Sequence, residues 1–308
     1  MRGGSRSFKV FIPRECFAGQ TPHPGSWPRA DLPPVLLCHE MVTLGPDTLE
    51  LAQRLARKGY AVYVPVLFGN EHEDPGSLWL GLVRGLDFAC FLPEWNANAG
   101  AGTRPIADEL ADLCRTGILP KHPHQRLGII GLCISGMLPV ELLGQQAAIP
   151  RLTALVISQP AMPVVACTFQ RRQSLGIAPE ELRRARQRLM TQDLQVLGFR
   201  FQLDLMSPPE RFARLRAELG DRFIDATLPA SDYVLRDHYP SAAHAVLTDG
   251  FRPWRAHERE TRGHFAYRQL LWFLDTRLKG HHDSEPVYHP DQTDHQEDLS
   301  ERPNVPCR

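Results

Sequence analysis

RLGIIGLCISGMLPVELL, residues Arg126 to Leu143, is the stretch on which the fold turns. Leu127, Ile129 and Ile130 form a short apolar run between glycines, the mark of a buried strand. After Cys133 the apolar residues return to helical spacing, so Cys133 stands at a strand-to-helix turn. Gly131 before it, and the small pair Ser135 and Gly136 after it, leave room for a turn sharp enough to push the middle side chain out above the sheet edge. That is the geometry of a nucleophile elbow, with sulfur where serine oxygen is commoner. A helix starting behind Cys133 would aim its positive end at the sulfur and favour the thiolate. The plain alternative is a buried structural cysteine at a glycine-rich turn. It accounts for the glycines but not for the strand, the helix and the downstream partners together.

The sequence around Cys133 resembles the dienelactone hydrolase family of α/β-hydrolases, whose elbow reads Gly-x-Cys-x followed by small residues. The run from Val35 to Gly69, with CHEM, LARKGYAVYVP and LFG, resembles the same family's opening strand-helix-strand unit. LGFRFQLDLMSPPERFARLRAELGDRF, from Leu197 to Phe223, is also similar to members of it, and the resemblance spans roughly Val35 to Leu278. It implies an α/β-hydrolase fold, a mainly parallel sheet with helices on both faces.

Composition agrees with one large core. The 308 residues are 43% hydrophobic and 23% charged, which gives one domain over residues 1–279 and a polar tail, 280–308, with almost nothing to bury and an expectation of disorder. Lys plus Arg and Asp plus Glu both number 35, so the balance offers nothing to nucleic acid or an anionic membrane. There is no apolar run of about 18 residues and no apolar signal core in Met1 to Lys9, so a soluble, cytoplasmic protein is expected. Seven cysteines with no Cys-x-x-Cys pair argue against a disulfide framework and a zinc knot, and suit a reducing compartment.

In chain order, Phe8 to Pro13 reads as an opening strand and Gly19 to Pro34 as a loop rich in proline and glycine. Val35 to Cys38 is a strand, Leu49 to Ala56 a helix face closed by Gly59, and Tyr60 to Val66 a strand. Asn70 to Thr103 reads as loops and a short helix near the site mouth, and Pro105 to Cys114 as a helix with Thr103 as its cap. Leu152 to Ser158 is a strand. The excursion from Gln159 to Gln195 holds a basic helix, Pro179 to Met190, whose Arg183, Arg184, Arg186 and Arg188 read as a solvated face rather than an anion site. Val196 to Phe201, Pro209 to Leu219 and Arg222 to Leu228 follow as strand, helix and strand, and Glu258 to Lys279 closes the fold as a helix. Alternating strands and helices call for a mainly parallel sheet.

A nucleophile of this kind needs a base and an acid to orient it, and in this fold they follow in the order acid, then histidine. Asp204, just past the strand ending at Phe201, fits the acid; Asp193 and Asp221 precede strands and point to the opposite edge. For the base, His238, His244 and His264 compete. His264 falls within the closing helix, whereas His244 heads HAVLT, which resembles the family's catalytic loop. The resemblance further implies that Glu40 touches the resting thiol and gates it, and that the backbone N–H groups of Met41 and Ile134 form the oxyanion hole. One position departs from it. The family's founding members carry a substrate-binding arginine four residues after the histidine, and here that residue is Thr248.

Together these readings give a hydrolase that cleaves a small carboxylic ester or lactone through a thioacyl enzyme on Cys133, His244 and Asp204, with no metal or organic cofactor. A silent hydrolase fold that binds a small ligand, and a thiol redox sensor at Cys133, are the alternatives. Substrate identity and oligomeric state are not legible.

Overall fold

The computed structural model describes residues 8–11, 30–40, 44–67, 105–162, 168–229, 244–248, 250 and 262–280. Met41, Trp79, Trp95, Thr103, His238 and the 281–308 tail, all singled out above, lie outside the described residues.

The strands are β1 (Phe8–Phe11), β2 (Pro34–Cys38), β3 (Ala61–Pro65), β4 (Leu127–Leu132), β5 (Leu152–Ser158), β6 (Val196–Phe201) and β7 (Phe223–Leu228). They form one sheet in the order β1-β3-β2-β4-β5-β6-β7. β1 runs antiparallel to β3, and every other pairing is parallel. The helices are α1 (Pro46–Arg57), α2 (Pro105–Asp112), α3 (Leu138–Leu143), α4 (Phe169–Gln173), α5 (Pro179–Thr191), α6 (Pro209–Leu219) and α7 (Arg262–Leu274). α2 and α7 run on into wider π turns, Leu113–Ile118 and Asp275–Lys279.

The pattern of burial explains the layers. The central strands β2 and β4 are buried at every position, so they read as unbroken apolar runs, as strands covered on both faces do. Alternate residues go to opposite faces. Leu36, Ile129 and Leu155 meet Leu110 of α2, Leu138 of α3 and Phe212 of α6 on one side. Leu37, Ile130 and Val156 meet Leu51 of α1 and Leu270 and Phe273 of α7 on the other. The chain moves from β2 outward to β3, then crosses back to β4 and travels the other way through β5, β6 and β7. The reversal falls between β2 and β4, and the crevice at the carboxyl ends of strands flanking such a reversal is where open α/β sheets bind ligands. Cys133 follows β4 and Glu40 follows β2 by two residues, so both stand at that crevice.

Two sequence expectations change. Cys133–Ser135 forms a 3-10 turn, and the α-helix proper starts only at Leu138, so the tight turn and not a full helix dipole meets the sulfur. The basic helix α5 is not simply a solvated face. Arg184 donates from Nε to the Gly144 carbonyl at 2.7 Å, and Arg188 donates to the carbonyls of Leu143 and Gln146. Leu143 and Gly144 hold orphan carbonyls at the end of α3, and Gln146 lies just past it, so α5 caps the helix that backs the elbow. Arg183 and Arg186 do face outward, paired with Glu180 and Glu218.

The two classes of arginine are separable. Arg188→Ala should lower unfolding stability by about 1–2 kcal/mol, the worth of a charged donor to a carbonyl, whereas Arg183→Ala should leave the urea midpoint where it was. Equal effects in urea denaturation would mean that the cap on α3 adds nothing.

Candidate active site

Cys133 sits in left-handed backbone, φ 53°, a region that non-glycine residues enter at a cost of about 1–3 kcal/mol. Its surroundings hold it there. The Cys133 carbonyl accepts two N–H groups, from Gly136 and from Ala161, each at 2.9 Å. A side chain on Gly131 would collide with the Ser135 carbonyl, and a Cβ on Gly136 would lie 2.6 Å from Cα of Pro160. Both glycines are therefore required by close approach of backbone.

The Ser135 hydroxyl, fully buried, accepts the Leu132 N–H at 3.1 Å and lies within 2.9 Å of the carbonyls of Cys38, His39 and Leu132. It ties the elbow to the end of β2. His39 continues the tie. Burial holds its pKa down at about 4 against the bond to the Glu40 carbonyl, so the ring is neutral: Nδ1–H donates to Glu40 O at 2.7 Å and Nε2 accepts the Leu67 N–H at 2.8 Å. The sequence reading took Ser135 only as a small residue and gave His39 no role. A serine two residues past the nucleophile and a histidine beside Glu40 were the signals available.

Asp204 follows β6 in a tight turn, 3% exposed. Its Oδ1 accepts the N–H groups of Met206 and Ser207 at 2.9 and 3.0 Å, leaving Oδ2 to take Nδ1 of His244 at 2.7 Å. This aspartate turn orients the carboxylate before any histidine arrives. Nε2 of His244 is buried and meets the Cys133 sulfur in a contact too loose for a well-formed hydrogen bond, as resting sites often do. Burial alone would lower the His244 pKa, but the charge of Cys133, the hydrogen bond that Nδ1–H donates to Asp204 Oδ2 and the approach of the Cys133 sulfur together outweigh it and raise it to about 10.

Cys133, Asp204 and His244 are thus brought together, in that order along the chain, at the carboxyl edge of a mainly parallel sheet. The fold is that of an α/β-hydrolase. No family model matches the chain, and no curated protein matches it. Among solved structures it is similar to one named m3DLH, at 20% identity over 80% of this chain and 88% of that one, with a TM-score of 0.49. A proposed dienelactone hydrolase from Klebsiella pneumoniae subsp. pneumoniae is 19% identical over 87% and 98% of the two chains, TM-score 0.47. A cold-adapted esterase from an Arctic intertidal metagenomic library is 15% identical over 77% and 90%, TM-score 0.46.

The remaining sequence candidates fall as follows. Ile134 lies in the first turn behind Cys133, where N–H groups lack partners within the turn. Glu40 is half-buried, and its Oε1 accepts the Thr248 hydroxyl at 2.7 Å, which links the β2 end to the His244 segment. Thr248, at the position of the expected arginine, is thereby a buried partner of Glu40. His264 lies in α7, and Asp193 pairs with Arg222, as expected for residues outside the site. Among the described residues no group of three metal-ligating side chains occurs, and no helix is long and apolar enough to cross a membrane.

The raised His244 pKa has a consequence for stability. The unfolded ring titrates near 6.5 and the folded one near 10, so the folded state holds the proton more tightly. The stabilisation is complete below pH 6.5 and is lost as pH rises through 10. The stability gap between wild type and His244→Gln should therefore shrink, by roughly a few kcal/mol, across that interval in urea unfolding. A gap that does not change with pH would mean that His244 is neutral in the folded protein.

Proposed function

We propose that the chain hydrolyses a small carboxylic ester or lactone through Cys133, with His244 and Asp204 completing the triad. The observation that carries the reading is a cysteine in left-handed backbone whose sulfur meets a histidine that is itself bound to a buried aspartate. A structural cysteine needs neither the strained turn nor the pair beside it.

The chemistry runs as acyl transfer. The Cys133 sulfur attacks the ester carbonyl, and the carbonyl π pair moves to oxygen. Backbone N–H groups hold that oxyanion, Ile134 from the elbow and Met41 from the segment after β2 by the family resemblance; each such donor is worth about 3 kcal/mol in other acyl-transfer enzymes. The tetrahedral intermediate expels the alkoxide, which takes the proton held at Nε2 of His244. Water then adds to the thioester, giving its proton to the now neutral imidazole, and the thiolate leaves as the acid forms. Asp204 keeps Nδ1 protonated and the ring in one tautomer throughout. No step calls for a metal or an organic cofactor.

Glu40 opposes the ion pair. Placed beside Cys133 by the resemblance and fixed by Thr248, its carboxylate disfavours the thiolate by like-charge repulsion, while protonated His244 favours it. Glu40 therefore sets how reactive the resting sulfur is.

Cys133→Ala should reduce turnover of aryl esters, lactones and thioesters by about a thousandfold or more while the protein stays folded. His244→Ala should lose activity similarly, and His264→Ala should keep it. A folded Cys133→Ala protein with near-normal turnover would remove the nucleophile, and loss at His264 alone would reassign the base. Glu40→Gln should speed iodoacetamide alkylation of Cys133, measured by peptide mapping, even where it slows ester turnover. No acceleration would leave Glu40 as a strand-end carboxylate outside the mechanism.

A further inference from the structure

Arg211 takes no part in the triad, yet its side chain is completely buried. A charge in that position is costly unless its donors are satisfied. Arg211, Leu215 and Leu219 follow one another at i, i+4 spacing on α6, so an arginine occupies the core stripe of an amphipathic helix. Its Nε donates to the Ser174 carbonyl at 2.9 Å, and Nη1 donates to the Met206 carbonyl at 3.2 Å and to the carbonyl of Pro160.

Those acceptors come from three segments around the site. Pro160 packs on Gly136 and precedes Ala161, whose N–H holds the Cys133 carbonyl. Met206 gives its own N–H to Asp204 Oδ1. One guanidinium thus joins the support of the elbow to the support of the acid. Burial lowers the Arg211 pKa to about 10, with Asp204 and Cys133 acting to raise it and Arg172 to lower it further, so it stays charged at neutral pH.

The neighbouring charges are accounted for. Arg172 is engaged by Glu210 at 2.8 Å. Arg200 of β6 donates to the carbonyls of Ser207 and Gln202 and acts on Asp204. On the β2 side, His39 is neutral and Glu40 is held by Thr248.

We propose that Arg211 is a positioning residue of the Cys133 site: it fastens the Pro160, Ser174 and Met206 carbonyls together and so holds the elbow and the Asp204 turn in one geometry. This rests on reading Cys133 as the nucleophile. Arg211 touches no substrate and acts through Cys133 and Asp204.

The test compares wild type, Arg211→Gln and Arg211→Lys by kcat and KM for an aryl ester and by the rate of iodoacetamide alkylation at Cys133, mapped by peptide. Cys38 and Cys114 are buried with pKa values pushed up, that of Cys114 to about 12, and react slowly. Arg211→Gln loses most of the donors, and should lower kcat about a hundredfold with KM little changed and slow alkylation of Cys133 about tenfold. Arg211→Lys keeps the charge and should alkylate within about threefold of wild type, with a kcat lowered about tenfold and KM little changed because an ammonium reaches fewer of the carbonyls. A folded Arg211→Gln protein with the wild-type kcat and alkylation rate overturns the proposal. If Arg211→Gln does not fold, the Lys variant decides, and an unchanged kcat in it overturns the proposal equally. Because alkylation reads the sulfur directly, a wild-type protein that is alkylated at Cys133 but turns over no ester fails the hydrolase reading alone, and the variants' alkylation rates still test Arg211.

Discussion

The left-handed backbone of Cys133 is the constraint on which the rest of the site depends. A residue at φ 53° must be held there, and the holding groups come from both sides of it: Gly136 from its own turn and Ala161 from beyond β5. The second bond exists only because β4 and β5 pair in a register that sets Leu132 opposite Ser158. Sheet register, turn strain and the position of the sulfur are one fact. A slip of one residue would turn the strand over and take the Cys133 sulfur with it.

From that turn a polar network runs through the interior. Ser135 joins the elbow to β2, His39 joins β2 to Leu67 beyond β3, and Glu40 and Thr248 carry the connection to the segment that bears His244. His244 meets Asp204, and Arg211 returns from the Asp204 turn to the segment after β5. Buried networks of this kind specify one arrangement when their members are satisfied and are costly when they are not. Here the network fixes the relative placement of three loops that the sheet alone would leave free.

Much of this was legible along the chain. Strands and helices with long apolar patterns fall where the periodicity puts them, and β5, β6 and α6 end where the sequence says. Cys133, Asp204 and His244 could be named because each carries a local mark: glycine spacing for the first, a turn after a strand for the second, and an apolar loop resembling a known pattern for the third. The same local marks failed for α5. Its four arginines look alike in sequence, but two meet the open end of α3 and two meet carboxylates at the surface.

The sequence by itself determined the strand-turn-helix around Cys133, the alternation that makes a parallel sheet, and the chain order of Cys133, Asp204 and His244. These follow from short-range sterics and from periodicity, which a chain carries residue by residue. Tertiary structure alone decided that Ser135 and His39 brace the elbow, that Thr248 engages Glu40, and that Arg211 lies in the core bound to the carbonyls of Pro160, Ser174 and Met206. Those roles depend on hydrogen bonds and Coulomb interactions between residues far apart in the chain, and such interactions exist only once packing has excluded water from between them.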